Sequence, residues 1–142
     1  MSPSTDTAGH RLVVGVSLTQ LACGVMGMVL AIRRGHAYDV SFMRGTPQAV
    51  TKDSILLGTA LSAPVTMLAA QVVLTGIVAL RDSRRAARGL GILGGFMTAG
   101  YLAERHVRHR LRPDGWDPLE TPLVALSMGL AAAMALVGTR YG

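Results

Sequence analysis

The stretch Glu104-Arg105-His106-Val107-Arg108-His109-Arg110 carries the densest set of chemically able side chains in this chain. His106 and His109 stand at i,i+3, so on a helix they share a face and could supply two ligands to a metal. Zinc takes three or four ligands, and neither an HExxH nor a CxxC pattern supplies the rest. The flanking arginines repel a cation, so no metal and no cofactor is expected. Glu104 and Arg108 are spaced i,i+4 in the favourable order for an ion pair on one helix. Glu104 also borders an apolar run, where a carboxylate must turn inward or find a cation. Arg108, Arg33 and Arg34 are its candidate partners, and His36 completes the polar cluster with Glu104, His106 and His109. Further on, Asp117, Pro118 and Glu120 read as a helix start, with Asp117 the N-cap, Pro118 the first helical residue and Glu120 in the capping-box position.

Deep inside the apolar runs, Gln20 and Gln71 are the only strongly polar side chains. Counted along antiparallel helices their depths match within about one residue, or ~1.5 Å. A hydrogen bond between them across a helix pair is expected. Cys23 is the single cysteine. One thiol can form neither an intrachain disulfide nor a CxxC redox pair, so Cys23 reads as a small packing residue. No GxxxxGK[ST] phosphate loop and no GxSxG nucleophile elbow is present.

The elements that must position these groups are apolar runs. Of 142 residues half are hydrophobic and only 15% are charged, with a mean hydropathy of +0.40. Soluble domains carry about 25% charged residues. The first run, 12–32, has no charge and ends at Arg33-Arg34. Its length of about 21 residues covers ~31 Å, enough for a ~30 Å hydrocarbon core. It is longer than a signal-peptide core and lacks a basic segment before it, so it reads as a retained helix. Thr46-Pro47 resembles an N-cap with proline at the first helical position, leading into a second run, 55–80, with Pro64 as a kink inside it. The third run, 89–103, extends as helix through the Glu104–Arg110 stretch, whose arginines can snorkel. The fourth run, 121–138, follows Trp116, an interfacial anchor.

These runs predict an all-α, polytopic membrane protein: one domain, a four-transmembrane-helix up-down bundle. Helices are expected near 12–33, 48–80, 86–111 and 118–139, with membrane spans approximately 12–33, 54–80, 88–105 and 119–139. Loop 35–45 should be the least regular part. Small residues at four-residue spacing, Ala87, Gly91, Gly95 and Ala99, and then Ala125, Gly129 and Ala133, form grooves suited to close helix packing, chiefly within the bundle. Arg11, Arg81, Arg84, Arg85, Arg88 and Arg140 fall on one side, six against eight basic residues on the other. That balance leans only slightly toward an N-terminus outside.

The chain contains 13 Arg and one Lys among its 14 basic residues, against 8 acids. The basic residues lie in the gaps between apolar runs, where membrane helices keep them, rather than on a water-exposed nucleic-acid face. Nucleic acid is not an expected partner. The arginine, alanine and glycine bias fits a GC-rich bacterial genome, so the expected location is the bacterial plasma membrane. The reading with most support is a non-enzymatic membrane protein whose basic end binds anionic lipid headgroups or a partner subunit, another copy of the chain included. Arg105, Arg108 and Arg112 share a helical face at i, i+3 and i+7 and would carry that binding, with Arg33 and Arg34 beside them. A small transporter or channel, motivated by the Gln pair and Pro64, is the alternative. A membrane enzyme using Glu104 and the histidines on a lipid-linked substrate comes third.

Overall fold

The computed structural model describes residues 3–34, 39–40, 43–44 and 63–142. Heptad spacing of the buried positions organises each long helix. α1 (Pro3–Arg34) buries Val13, Ser17, Gln20, Gly24, Gly27 and Ala31, alternately four and three residues apart. α2 (Val65–Arg81) buries Leu68, Gln71, Thr75 and Val78. α3 (Arg84–Ala103) turns Ala87, Gly91, Gly94, Met97 and Tyr101 inward. After the short α4 (Arg105–Arg110) and a 3-10 turn at Pro113–Gly115, α5 (Glu120–Tyr141) buries Glu120, Val124, Ser127, Ala131, Met134 and Gly138. Such a narrow seam is what left-handed bundle packing requires. A minimal antiparallel ladder pairs Asp39–Val40 (β1) with Met43–Arg44 (β2) inside the loop expected to be least regular.

The fold is therefore all-helical apart from this ladder. α5 packs most extensively on α3 and next on α1, while α2 contacts α1 and α3 and completes a ring of four. Arg34, at the end of α1, meets Glu120 at the start of α5, and His10 on α1 meets Asp82 in the α2–α3 turn. Consecutive long helices thus run antiparallel. Among the described residues, two stretches, Thr7–Arg34 and Glu120–Tyr141, are long and apolar enough to cross a membrane. α2 is a shorter apolar helix, and α3 carries Arg84, Arg85 and Arg88 in its first turns. Many large apolar side chains nonetheless face outward, among them Leu18, Met26, Val73, Ile92, Phe96 and Leu136.

Three sequence expectations are corrected. Pro64 is not a kink inside a helix: it sits at the N-cap of α2, and its carbonyl accepts from Met67 N and Leu68 N. Proline lacks the amide an interior position needs but fits a helix start. The expected start near Thr46-Pro47 lies outside the described residues. The third helix does not run unbroken to 111. It stops at Glu104, whose backbone is extended (φ −72°, ψ 122°), and α4 restarts at Arg105. Finally, the small-residue groove of α3 follows Ala87, Gly91 and Gly94, not Gly95 and Ala99, which are exposed. A Cβ on Gly94 would stand 2.6 Å from the Ala131 carbonyl oxygen, whereas one on Gly95 meets nothing within 4 Å. On α5 it is Gly138 that contacts α3, through Ala87 and Gly91, while Gly129 is open. A seven-residue seam alternates three and four, so a strict four-residue stripe drifts off the contact.

Candidate functional site

The turn from α3 to α5 builds a buried carboxylate hub. Gly115 allows the chain to double back, because any Cβ there would collide with the His109 carbonyl. Asp117 then starts α5: its Oδ1 accepts from Leu119 N at 2.9 Å and Glu120 N at 2.8 Å. Those two amides, with Arg34 as a further donor, hold the Asp117 carboxyl down at about 2. Thr121 ties the corner, its Oγ1 accepting from Asp117 N at 2.9 Å and donating to the Arg110 carbonyl at 3.1 Å. In an ordinary capping box Glu120 would take the Asp117 amide. Thr121 takes it here, and the Glu120 side chain is free to turn inward.

Glu120 is fully buried and gathers three side-chain nitrogens from two other elements. Arg34 Nη1 of α1 donates to Oε1 at 2.6 Å, and Arg110 Nε of α4 donates to Oε2 at 2.7 Å. His106 Nε2 lies 2.9 Å from the same Oε2. Arg34 also reaches Asp117 at 3.2 Å, and Arg110 holds the Gly115 carbonyl at 3.1 Å. The hub thereby joins α1, α4 and α5. A carboxylate removed from water is tolerable only with such pairing. Chemically it is a saturated structural node: both carboxylate oxygens are occupied by donors.

The sequence-predicted residues divide around this hub. Glu104 is buried and caps α4, its Oε1 accepting from His106 N at 3.4 Å. Of the arginines expected beside it, Arg34 goes to Glu120 and Asp117, and Arg108 Nη1 donates to the Leu102 carbonyl at 2.9 Å. Arg34 thus serves the internal network, while the residue as a whole stays exposed. Arg33, Arg105, Arg108 and Arg112 are exposed, as is His109, so the two histidines do not converge. Among the described residues no group of three His, Cys, Asp or Glu is placed to hold a metal. His36 lies outside the described residues. Glu120 was missed as a site residue because its position satisfied a capping pattern. The signal that finds it is phase: with Val124, Ser127 and Ala131 it falls on the buried seven-residue seam of α5.

A second polar group occupies the bundle interior. Gln20 and Gln71 are both fully buried, on the facing seams of α1 and α2. The expected bond between their side chains is not made. Gln71 Nε2 instead donates to the Ser17 carbonyl at 2.8 Å, one turn away from Gln20, and Ser17 Oγ lies 2.6 Å from Thr75 Oγ1. Ser17 carries no sequence signal of this role, because a serine can equally satisfy its hydroxyl within its own helix. The Tyr101 and Ser127 hydroxyls face each other, while both amide atoms of Gln20 and Gln71 Oε1 have no hydrogen-bond partner among the described residues. Each such buried group costs roughly 1–3 kcal/mol when left unsatisfied.

At the opposite end His10 Nδ1 stands 2.7 Å from Asp82 Oδ1, and Tyr141 OH donates to the same oxygen. Arg84 lies over the Tyr141 ring at 5.7 Å. These donors lower the Asp82 carboxyl, and they clasp α1, the α2–α3 turn and the C-terminal turn of α5. In comparisons with protein-family models, curated proteins and solved structures, nothing matches the chain.

Proposed function

We propose that this is a non-enzymatic, multi-pass membrane protein, crossing the membrane four times, whose basic end docks on anionic lipid headgroups. The observation that carries the reading is the sorting of arginines at that end. Arg34 and Arg110 are paired with Glu120, which is 0% exposed, and Arg34 also with Asp117, while Arg105, Arg108 and Arg112 stand exposed. Trp116, four residues past Arg112, is 66% exposed, as an interfacial anchor would be. The helix ends at Arg110 and Arg112 has extended backbone beyond it, so Arg112 does not continue the helical face expected with Arg105 and Arg108. Each cation near an anionic surface contributes roughly 1 kcal/mol. A bacterial plasma membrane supplies such a surface, and the arginine-rich composition supports that location.

Trp116 is the only tryptophan and therefore reports on its own end of the protein. Detergent-solubilised protein titrated with phosphatidylglycerol micelles should show a saturable, salt-sensitive change in Trp116 emission that phosphatidylcholine does not produce. Replacing Arg105→Gln, Arg108→Gln and Arg112→Gln together should abolish the difference between the two lipids. Equal responses to both lipids, or an unchanged triple variant, would overturn the reading. Retention of a protein partner by the wild type, lost in the triple variant without any lipid preference, would transfer this surface to a partner subunit.

A further inference from the structure

Between the two end clusters, the buried polar groups among the described residues are all neutral. Ser17, Gln20, Gln71, Thr75, Tyr101 and Ser127 are all buried, and the register of the helices brings them near one another. Gln71 touches Ser17 and stands 3.6 Å from Met134 Sδ. Gly94 packs on Ala131, Met134 and Ala135, so two turns on, in antiparallel register, Tyr101 is level with Ser127. Gln20 lies between these two levels, one turn past Ser17. It offers a donor and an acceptor and Gln71 an acceptor, none with a protein partner, and the Tyr101 and Ser127 hydroxyls, facing each other, add a hydroxyl pair. In an apolar bundle such groups persist when small polar molecules satisfy them.

The two directions along the axis differ. Toward the His10–Asp82 end, fully buried Val13 and Val78 follow Ser17 and Thr75 and interrupt the polar series. Toward the other end, Tyr101 is followed one turn later on the same face of α3 by buried Glu104, and then by the Glu120 hub. We propose that the bundle interior from Ser17 to Tyr101 binds water and other small neutral hydrogen-bonding solutes, which enter from the Glu104 end and are stopped by Val13 and Val78. The absence of any charged side chain among these six residues restricts the ligand to neutral molecules, because an ion would be left without a counter-charge.

Cys23, buried one turn beyond Gln20 on α1, is a native probe of this hydration. Thiosulfonates react with a thiolate, which forms only where water reaches the sulfur. The full chain in proteoliposomes is treated with methyl methanethiosulfonate, and modification is read by mass spectrometry, with SDS-unfolded protein as the reference. Cys23 should react in the folded protein, and about tenfold more slowly in Gln20→Leu, where the interior has lost its central amide. Ser127→Ala, a smaller change, should slow it in the same direction while keeping the wild-type melting temperature. Water flux by stopped-flow light scattering provides the directional test: wild type should match empty vesicles, and Val78→Ala should exceed them. An unreactive Cys23 in folded protein, or reactivity indifferent to both Gln20→Leu and Ser127→Ala, shows a dry interior and overturns the proposal. Water flux through the wild type, or none through Val78→Ala, overturns the valine stop.

Discussion

At the scale of single residues, Glu120 and Asp117 divide the work that a capping box would have given to one helix start. Glu120 is withdrawn into the bundle, where it organises Arg34, Arg110 and His106. Replacing it by Gln keeps the shape but leaves two guanidiniums facing a neutral amide. Both arginines retain some exposure, which softens the cost, so Glu120→Gln should lose roughly 2 kcal/mol or more of stability. A thermal melt in detergent measures this, and an unchanged melting temperature would mean that the hub does not hold the bundle together. Asp117 acts through its charge on amides. Its carboxyl falls from the ordinary 3.8 to about 2 in the folded protein. A lowered acid contributes stability that is fully present above its ordinary value and is lost as pH falls through the folded one. The start of α5 should thus hold above about pH 4 and loosen between about pH 4 and 2. Amide exchange of the first turn of α5, compared between wild type and Asp117→Asn, isolates this part of the acid response: the variant should lack it.

At the scale of elements, the α3–α5 contact depends on the absence of side chains at particular phases. A methyl on Gly94 would lie 2.6 Å from Ala131 O and 2.7 Å from Ala135 N, both backbone atoms that cannot swing aside. Gly94→Ala should therefore separate the two helices and cost about 1–3 kcal/mol. Gly95→Ala, next in the chain, adds a methyl to open space and should instead gain up to ~1 kcal/mol from helix propensity. The two variants melted side by side give opposite shifts if the seven-residue seam is the real contact. Matching losses would restore the four-residue groove. The break at Glu104 belongs to the same scale: by leaving helical geometry there, the chain can cap α4 with the Glu104 carboxylate and bury Val107.

At the scale of the whole molecule, the two clasps sit at opposite ends of the bundle. His10, Asp82 and Tyr141 gather the N-terminal part, the α2–α3 turn and the C-terminus at one end. The Glu120 hub gathers the end of α1, α4 and the start of α5 at the other. The proposed four crossings predict that reporters fused at each terminus lie on the same side of the membrane, and a tag inserted after Arg112 on the opposite side. Protease protection of inverted and right-side-out vesicles reads this directly. Termini on opposite sides would rule out the four-crossing arrangement.

Composition and run lengths by themselves determined the helical class and the short α2–α3 turn. They also marked Asp117 as the residue that leads into α5, although the helix begins at Glu120 and Pro118 lies in the turn before it. Each follows from hydropathy and local backbone chemistry. The inward placement of Gln20 and Gln71 was legible for the same reason, because a primary amide is costly against lipid wherever the helix turns it. What tertiary structure decided is which of several equally spaced partners meet. Arg34 had Glu104 within sequence reach of an argument, yet the α1–α5 register carries it to Glu120 and Asp117. Gln71 had Gln20 at matched depth, yet a displacement of one turn gives it Ser17. Register between helices is set by summed packing along whole seams, here the glycines of α3 against the backbone of α5. No pairwise spacing along the chain contains that sum.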